Sequence, residues 1–141
     1  MTDYQVIYDA FLARILEDEW EDWLIADAKK DWRQILEAAI PWFKFPRVPL
    51  TRTDEGFTNT LGPIEIQILA SYMKCEWLNR CIMTWENIKP LYQERDFSPA
   101  NLIDKLNKMM TSEHARAEKM ESLYYRSVNG APFDYTRLAG Y

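Results

Sequence analysis

The chain has 141 residues, 22 acidic and 17 basic side chains, and a formal charge of −5. That is the size of one domain, long enough to bury roughly 70% of its unfolded surface without disulfide staples. It has no bulk basic field of the kind that attracts nucleic acid or anionic lipid.

Hydrophobic residues make up 48% of the chain, and six Trp, eight Tyr and six Phe raise the aromatic share to 14%. Large rings fill cores and also mark protein interfaces, so either use is open from composition alone. No apolar run is long enough to span a bilayer, and the start, Met1-Thr2-Asp3-Tyr4, has neither the basic residues nor the apolar stretch of a secretory signal.

Thr2 or Asp3 is a fitting cap for a first helix with the stripe Tyr4, Ile7, Tyr8, Phe11, Leu12 and Ile15, in steps of three and four. The acid-rich run Glu17-Asp18-Glu19-Trp20-Glu21-Asp22 suits the start of a second helix, where the helix dipole favours negative charge. That helix carries Trp23, Leu24, Ala28, Trp32, Ile35, Leu36 and Ala39, and Pro41 stops it.

From Pro41 to Pro63 the helical pattern dissolves. Pro41, Pro46, Pro49 and Pro63 punctuate the segment, Asp54-Glu55-Gly56 signals a turn, and Phe43-Lys44-Phe45 alternates like a short strand or hairpin. A segment this long without regular structure is expected to be functional or disordered, and the reading is an arm or hairpin on the outside of a helical body. Lys44, Arg47 and Arg52 lie among Phe43, Phe45 and Phe57, which makes these six candidates for partner binding. A basic, aromatic loop also has the ingredients for stacking on nucleic acid, but the acidic total favours packing of the rings on a neighbouring protein.

Pro63 opens a third helix with Ile64, Ile68, Leu69, Tyr72, Cys75, Leu78, Ile82 and Trp85 on its stripe and Ile66, Met73 and Trp77 off it. Apolar residues so widely spread predict the central helix of the body. Glu76 is expected to pair with Arg80 one turn on. Pro90 ends or kinks the helix.

Ser98 and Pro99 are a strong start signal for a fourth helix reaching about Val128, with Leu102, Leu106, Met109, Met110, Ala117, Met120, Leu123 and Tyr124 on one face. Glu113 interrupts that seam, which argues against a dedicated coiled coil. Asn129-Gly130 fits a C-cap, and the last eleven residues, with Phe133, Tyr135, Leu138 and Tyr141, read as a tail that docks on something. The expected fold is therefore mainly α, a four- to five-helix bundle over 1–130 with a long proline-containing loop or hairpin at 41–63 and an extended C-terminal tail at 131–141.

Chemistry is sparse. Cys75 and Cys81 are about 240° apart around a helix and about 9 Å along it, too far to form a disulfide with each other. With one His in the chain they also lack partners for zinc. The expectation is two reduced thiols. His114 is expected at the surface, with no catalytic partner at a recognisable spacing. Consecutive acids at 17–22 are expected in solvent, where nothing tunes them for proton transfer. No HExxH, CxxC, GxGxxG or phosphate-loop motif is present. The reading is a non-enzymatic protein without cofactor or metal that acts by binding protein surfaces, with no membrane partner.

The series Ala38-Ala39-Ile40-Pro41-Trp42-Phe43-Lys44-Phe45-Pro46-Arg47, Glu65-Ile66-Gln67-Ile68-Leu69-Ala70, Glu76-Trp77-Leu78, Asp96-Phe97-Ser98-Pro99-Ala100-Asn101-Leu102 and Tyr124-Tyr125-Arg126-Ser127 resembles small helical virion proteins of tailed bacteriophages. Among these it is most similar to head–tail connector, or neck adaptor, proteins. The resemblance implies a homo-oligomeric ring between portal and tail, contacts with the portal and with neighbouring neck or tail proteins, and double-stranded DNA passing through the channel without sequence-specific binding. It also implies a place at the head–tail junction of a virion assembled in the host cytoplasm. The alternative is a small helical regulatory protein that binds one partner and is not part of a virion.

Overall fold

The computed structural model describes residues 1–15, 19–88, 99–128 and 131–132. It is mainly helical, as expected, with four α-helices: α1 (Tyr4–Leu12), α2 (Ile25–Ala39), α3 (Pro63–Ile88) and α4 (Pro99–Tyr125). A short 3₁₀ turn, Ile40–Trp42, follows α2. Four two-residue strands complete the order: β1 (Thr2–Asp3), β2 (Gly56–Phe57), β3 (Ser127–Val128) and β4 (Ala131–Pro132).

α3 is the central helix, in contact with α1, α2, the 3₁₀ turn and α4. Ile68 through Met73 are all buried, so this helix presents no solvated side over that stretch. A helix apolar all round must be covered all round, and the other elements do this. α1 contributes Tyr4, Ile7, Tyr8 and Phe11, and α2 contributes Ala28, Trp32, Ile35, Leu36 and Ala39.

Between α1 and α2 the rings form a continuous string. Phe57 meets Tyr4 edge-on at 5.5 Å, Tyr4 stacks near Tyr8 at 6.2 Å, and Tyr8 meets Trp32 at 5.6 Å. Trp32 meets Trp20 at 5.9 Å, and Trp20 meets Phe11 at 6.0 Å. Edge-to-face and offset contacts of this kind contribute beyond the area they bury. Much of the aromatic excess is thus core.

α1 ends at Leu12, one turn before the expected Ile15, although Ile15 is still buried. The second helix begins at Ile25 rather than in the acidic run. Glu17 and Asp18 lie outside the described residues. Glu19 accepts from Trp77 Nε1 at 2.7 Å and pairs with Arg80 at 3.3 Å, and Glu21 and Asp22 are exposed. Trp20 occupies the core place that Trp23 and Leu24 were expected to share, and both of these are exposed.

Arg80 does not pair with Glu76. Its guanidinium grips Asp31 of α2 through two bonds, at 2.8 and 3.0 Å, and Asp31 also accepts from Trp20 Nε1 at 2.7 Å. Spacing along one helix favoured a local pair, but a bidentate partner on the neighbouring helix has the better geometry.

The segment between α2 and α3 is not a free arm. Among the described residues its extended stretch Phe43–Phe45 has no strand partner. The pairing lies further on, where Thr53 N donates to Gly56 O at 2.8 Å and Thr58 N to Thr51 O at 2.9 Å. β2 then pairs antiparallel with β1, Thr2 opposite Phe57 and Asp3 opposite Gly56. A Cβ at Gly56 would meet the Thr2 carbonyl oxygen at 2.2 Å, so this close approach requires glycine. Thr2 Oγ1 accepts from Leu61 N at 2.8 Å and donates to Asn59 O at 3.3 Å.

α3 starts at Pro63 as expected, and Glu65 Oε1 reaches back to accept from Gly62 N at 2.8 Å, the second half of a capping box. Pro90 and Ser98 lie outside the described residues. α4 stops at Tyr125 rather than near Val128, because Ser127–Val128 pairs antiparallel with Ala131–Pro132. Asn129 and Gly130 are outside the described residues. As a sequence, Asn-Gly is as good a signature for a two-residue hairpin as for a helix cap.

Glu113, which breaks the apolar seam of α4, is buried between three cations: Arg14 and Lys74 at 3.5 Å and Arg116 at 3.7 Å. A buried carboxylate is tolerable when paired, and here it ties the turn after α1 to α3 and α4.

The Asp31 carboxyl is raised by burial, but the bonds from Arg80 and Trp20 more than offset this and hold it below its ordinary value. A depressed folded pKa means that Asp31 contributes stability above the unfolded carboxylate value of about 3.9, and that this is lost as pH falls through the folded value. Asp31→Asn is therefore expected to destabilise by about 1–2 kcal/mol at pH 7, the partial exposure of Arg80 limiting the effect. The gap from the parent, read by urea denaturation, is expected to narrow between pH 5 and pH 3; a constant gap contradicts this account.

Candidate interaction surface

The residues expected to bind partners divide sharply by environment. Phe57 is fully buried, and Phe43 is buried with its ring edge-on to Tyr124 at 5.4 Å. Both belong to the core, which corrects the reading of the 41–63 segment as an outer arm. An apolar ring on a proline-rich segment gains as much from its own body as from a partner, and the body is always at hand.

Arg52 is tied to Glu37 of α2 through two bonds, at 2.8 and 2.6 Å. The bond from Arg52, opposed by burial and joined by one from Arg33, holds the Glu37 carboxyl below its ordinary range. Arg33 also sits over the Tyr4 ring at 4.1 Å. Arg47 donates its backbone N–H to Tyr124 Oη at 2.8 Å, lays its guanidinium over that ring at 4.4 Å and bonds the Tyr124 carbonyl. Tyr124 Oη in turn donates to buried Glu65 at 2.8 Å. These two arginines fasten the segment to α2 and α4.

Lys44 and Phe45 are left in the open. Phe45 is 71% exposed, with its N–H donated to Tyr125 Oη at 3.0 Å and its ring edge-on to Tyr125 at 5.9 Å. Beside them stands Trp42, an exposed indole that donates Nε1 to Glu76 at 2.7 Å and stacks on Tyr72 at 6.3 Å. His114 meets both rings edge-on, Trp42 at 5.1 Å and Tyr72 at 5.7 Å. The histidine is half-buried in a ring cluster rather than a bare surface residue. Phe133, Tyr135, Leu138 and Tyr141 lie outside the described residues.

A second apolar patch was not foreseen. Trp23, Leu24 and Ile25 are 44, 75 and 66% exposed at the start of α2. In the sequence the place of Trp23 and Leu24 on a helical stripe concealed this, since periodicity does not show where a helix begins. α2 has 15 residues, so this patch and Trp42 are separated by about 22 Å of helix.

Neither Cys75 nor Cys81 is in a disulfide. Burial, followed by the neighbouring charges of Glu113 and Glu76, pushes the Cys75 thiol up to about 12, which leaves it protonated and unreactive at neutral pH. Among the described residues no group of His, Cys, Asp and Glu side chains is placed to hold a metal, and no helix is long and apolar enough to cross a membrane.

Comparison with protein-family models, curated proteins and solved structures returns no match.

The division of the 41–63 segment is checked by two truncations. Phe57→Ala is expected to cost about 3–5 kcal/mol, as for a buried ring, and Phe45→Ala under about 0.5 kcal/mol. Equal effects on the urea midpoint would contradict the placement of these rings.

Proposed function

We propose that this chain is a structural connector, a small helical protein without catalytic activity that assembles with copies of itself into a ring at the head–tail junction of a tailed phage. Its neighbours are the portal and other neck or tail proteins. DNA passes through the channel without sequence-specific contacts, and the virion is assembled in the host cytoplasm. The resemblance of the sequence to such proteins motivates the assignment to this station.

The observation that best supports an assembling protein is the pair of exposed apolar patches at opposite ends of α2. Trp23, Leu24 and Ile25 lie at one end and Trp42, Phe45 and Tyr125 at the other. Exposed groups of large apolar side chains mark contact surfaces. Two different patches on one protomer suit a head-to-tail contact, which closes into a ring when the rotation per subunit permits. A small helical regulator of one partner protein would use the same patches and remain a monomer or dimer.

Native mass measurement of the purified chain, alone and mixed with portal or tail components, separates these readings. A ring-sized species is expected in at least one mixture, and Ile25→Asp is expected to abolish it while leaving the helical circular dichroism unchanged. Removal of residues 131–141 is expected to do the same. A stable monomer that joins no such component overturns the connector reading.

A further inference from the structure

We infer that the cleft between the 3₁₀ turn and α4 is a binding site for an organic cation, an alkylammonium or guanidinium group. The cleft has a volume of about 330 Å³ and is lined by Trp42, Tyr72 and Tyr125 together with Glu118, Glu121 and Ser122. Three aromatic rings converge with two carboxylates. Ring faces attract cations, and the attraction grows when the site is partly withdrawn from water.

The walls are held in place before any ligand arrives. Trp42 is fixed by its bond to Glu76, its stack on Tyr72 and its edge contact with His114, although its indole is 43% exposed. A large ring held rigidly in the open presents a ready-made face at low entropic cost.

The second observation comes from the two buried carboxylates of α4. Glu113 and Glu121 lie eight positions apart, on one face of the helix, and are 4% and 5% exposed. Three cations surround Glu113. Glu121 receives only phenols: Tyr72 Oη at 3.2 Å and Tyr125. Among the described residues no Lys or Arg pairs with Glu121, and Glu118, one turn before it, has only His114 Nδ1 at 3.2 Å. The fold balances one buried anion fully and leaves the other facing a cleft of aromatic rings. A cationic group entering there meets a carboxylate that no Lys or Arg of the described residues pairs with, beside the exposed Trp42 and Tyr125 rings. Lys44 also lines the cleft and, as the one cation there, opposes entry of another.

The site does not depend on the connector reading. Its cation has two possible sources, a free amine and a Lys or Arg side chain of a neighbouring copy. Titration of the intact chain with tetramethylammonium, n-butylammonium and N-acetylarginine amide, followed by the Trp42 indole N–H signal in NMR, is the direct test, with neopentyl alcohol and n-butanol as neutral controls. Saturable shifts are expected with the cations only. Glu121→Gln is expected to weaken binding at least about ten-fold and Lys44→Ala to strengthen it; Trp42→Leu, followed through the Tyr125 ring signals because it lacks the reporter indole, is expected to weaken it to the same degree.

Glu121→Gln keeps the size of the side chain and an acceptor for the phenols, and helical circular dichroism unchanged from the parent guards against a result due to misfolding. Mass measurement in the same titration identifies the source. Dissociation of an oligomer by the amine supports the site with a neighbour's side chain as occupant, and binding without change in mass supports it with a free amine. Equal response to cations and neutral controls, no saturation, or full retention of binding in Glu121→Gln overturns the inference.

Discussion

The burial of α3 on every side is the constraint on which the rest of the structure depends. From Ile68 to Met73 the helix has no face that water solvates well, so it cannot lie at the edge of the body. α1 and α2 cover it on one side with a string of rings from Phe57 to Phe11, and α4 covers it on another. Ser71 Oγ and Trp32 Nε1 are buried in this core without a hydrogen-bond partner among the described residues, but its carboxylates have partners. Asp31 has Arg80 and Trp20, Glu65 has Tyr124 and Gly62, and Glu113 has three cations.

The same constraint accounts for the course of the 41–63 segment. Its rings at Phe43 and Phe57 complete the cover over the helices, and its arginines are drawn onto Glu37 and Tyr124. The hairpin at its far end is joined to the N-terminus by β1–β2 pairing and by Thr2. The segment therefore joins the first and last described helices to the central one. Phe45, held by its N–H bond to Tyr125, keeps its ring exposed beside Trp42.

The surface consequences follow from which groups this packing leaves over. Apolar side chains at the two ends of α2 have no place in the core and are presented outward, which suits a protein that joins other protein surfaces. Between the 3₁₀ turn and α4, the cleft beside Trp42 has an aromatic wall and a carboxylate that pairs with no Lys or Arg among the described residues. The exposed aromatic side chains of the described residues, Trp23, Trp42, Phe45 and Tyr125, lie at these positions.

Much of this was legible in the sequence. The steps of three and four from Tyr4 to Phe11 and from Ala28 to Ala39 marked α1 and α2, the spread of apolar residues marked α3 as central, and Pro63 and Pro99 marked two helix starts. The sequence by itself determined a mainly helical protein with a central apolar helix and no recognisable catalytic motif, because periodicity and proline act locally. Tertiary structure decided the partners. It gave Arg80 to Asp31 rather than Glu76, Arg52 to Glu37, Phe43 and Phe57 to the core, and Trp23 to the surface. Each of these choices turns on distances between residues far apart in the chain, which spacing along the chain does not encode. Whether a charge is balanced or left facing a cleft, as Glu113 and Glu121 differ on one helix, is settled only when the neighbouring helices are in place.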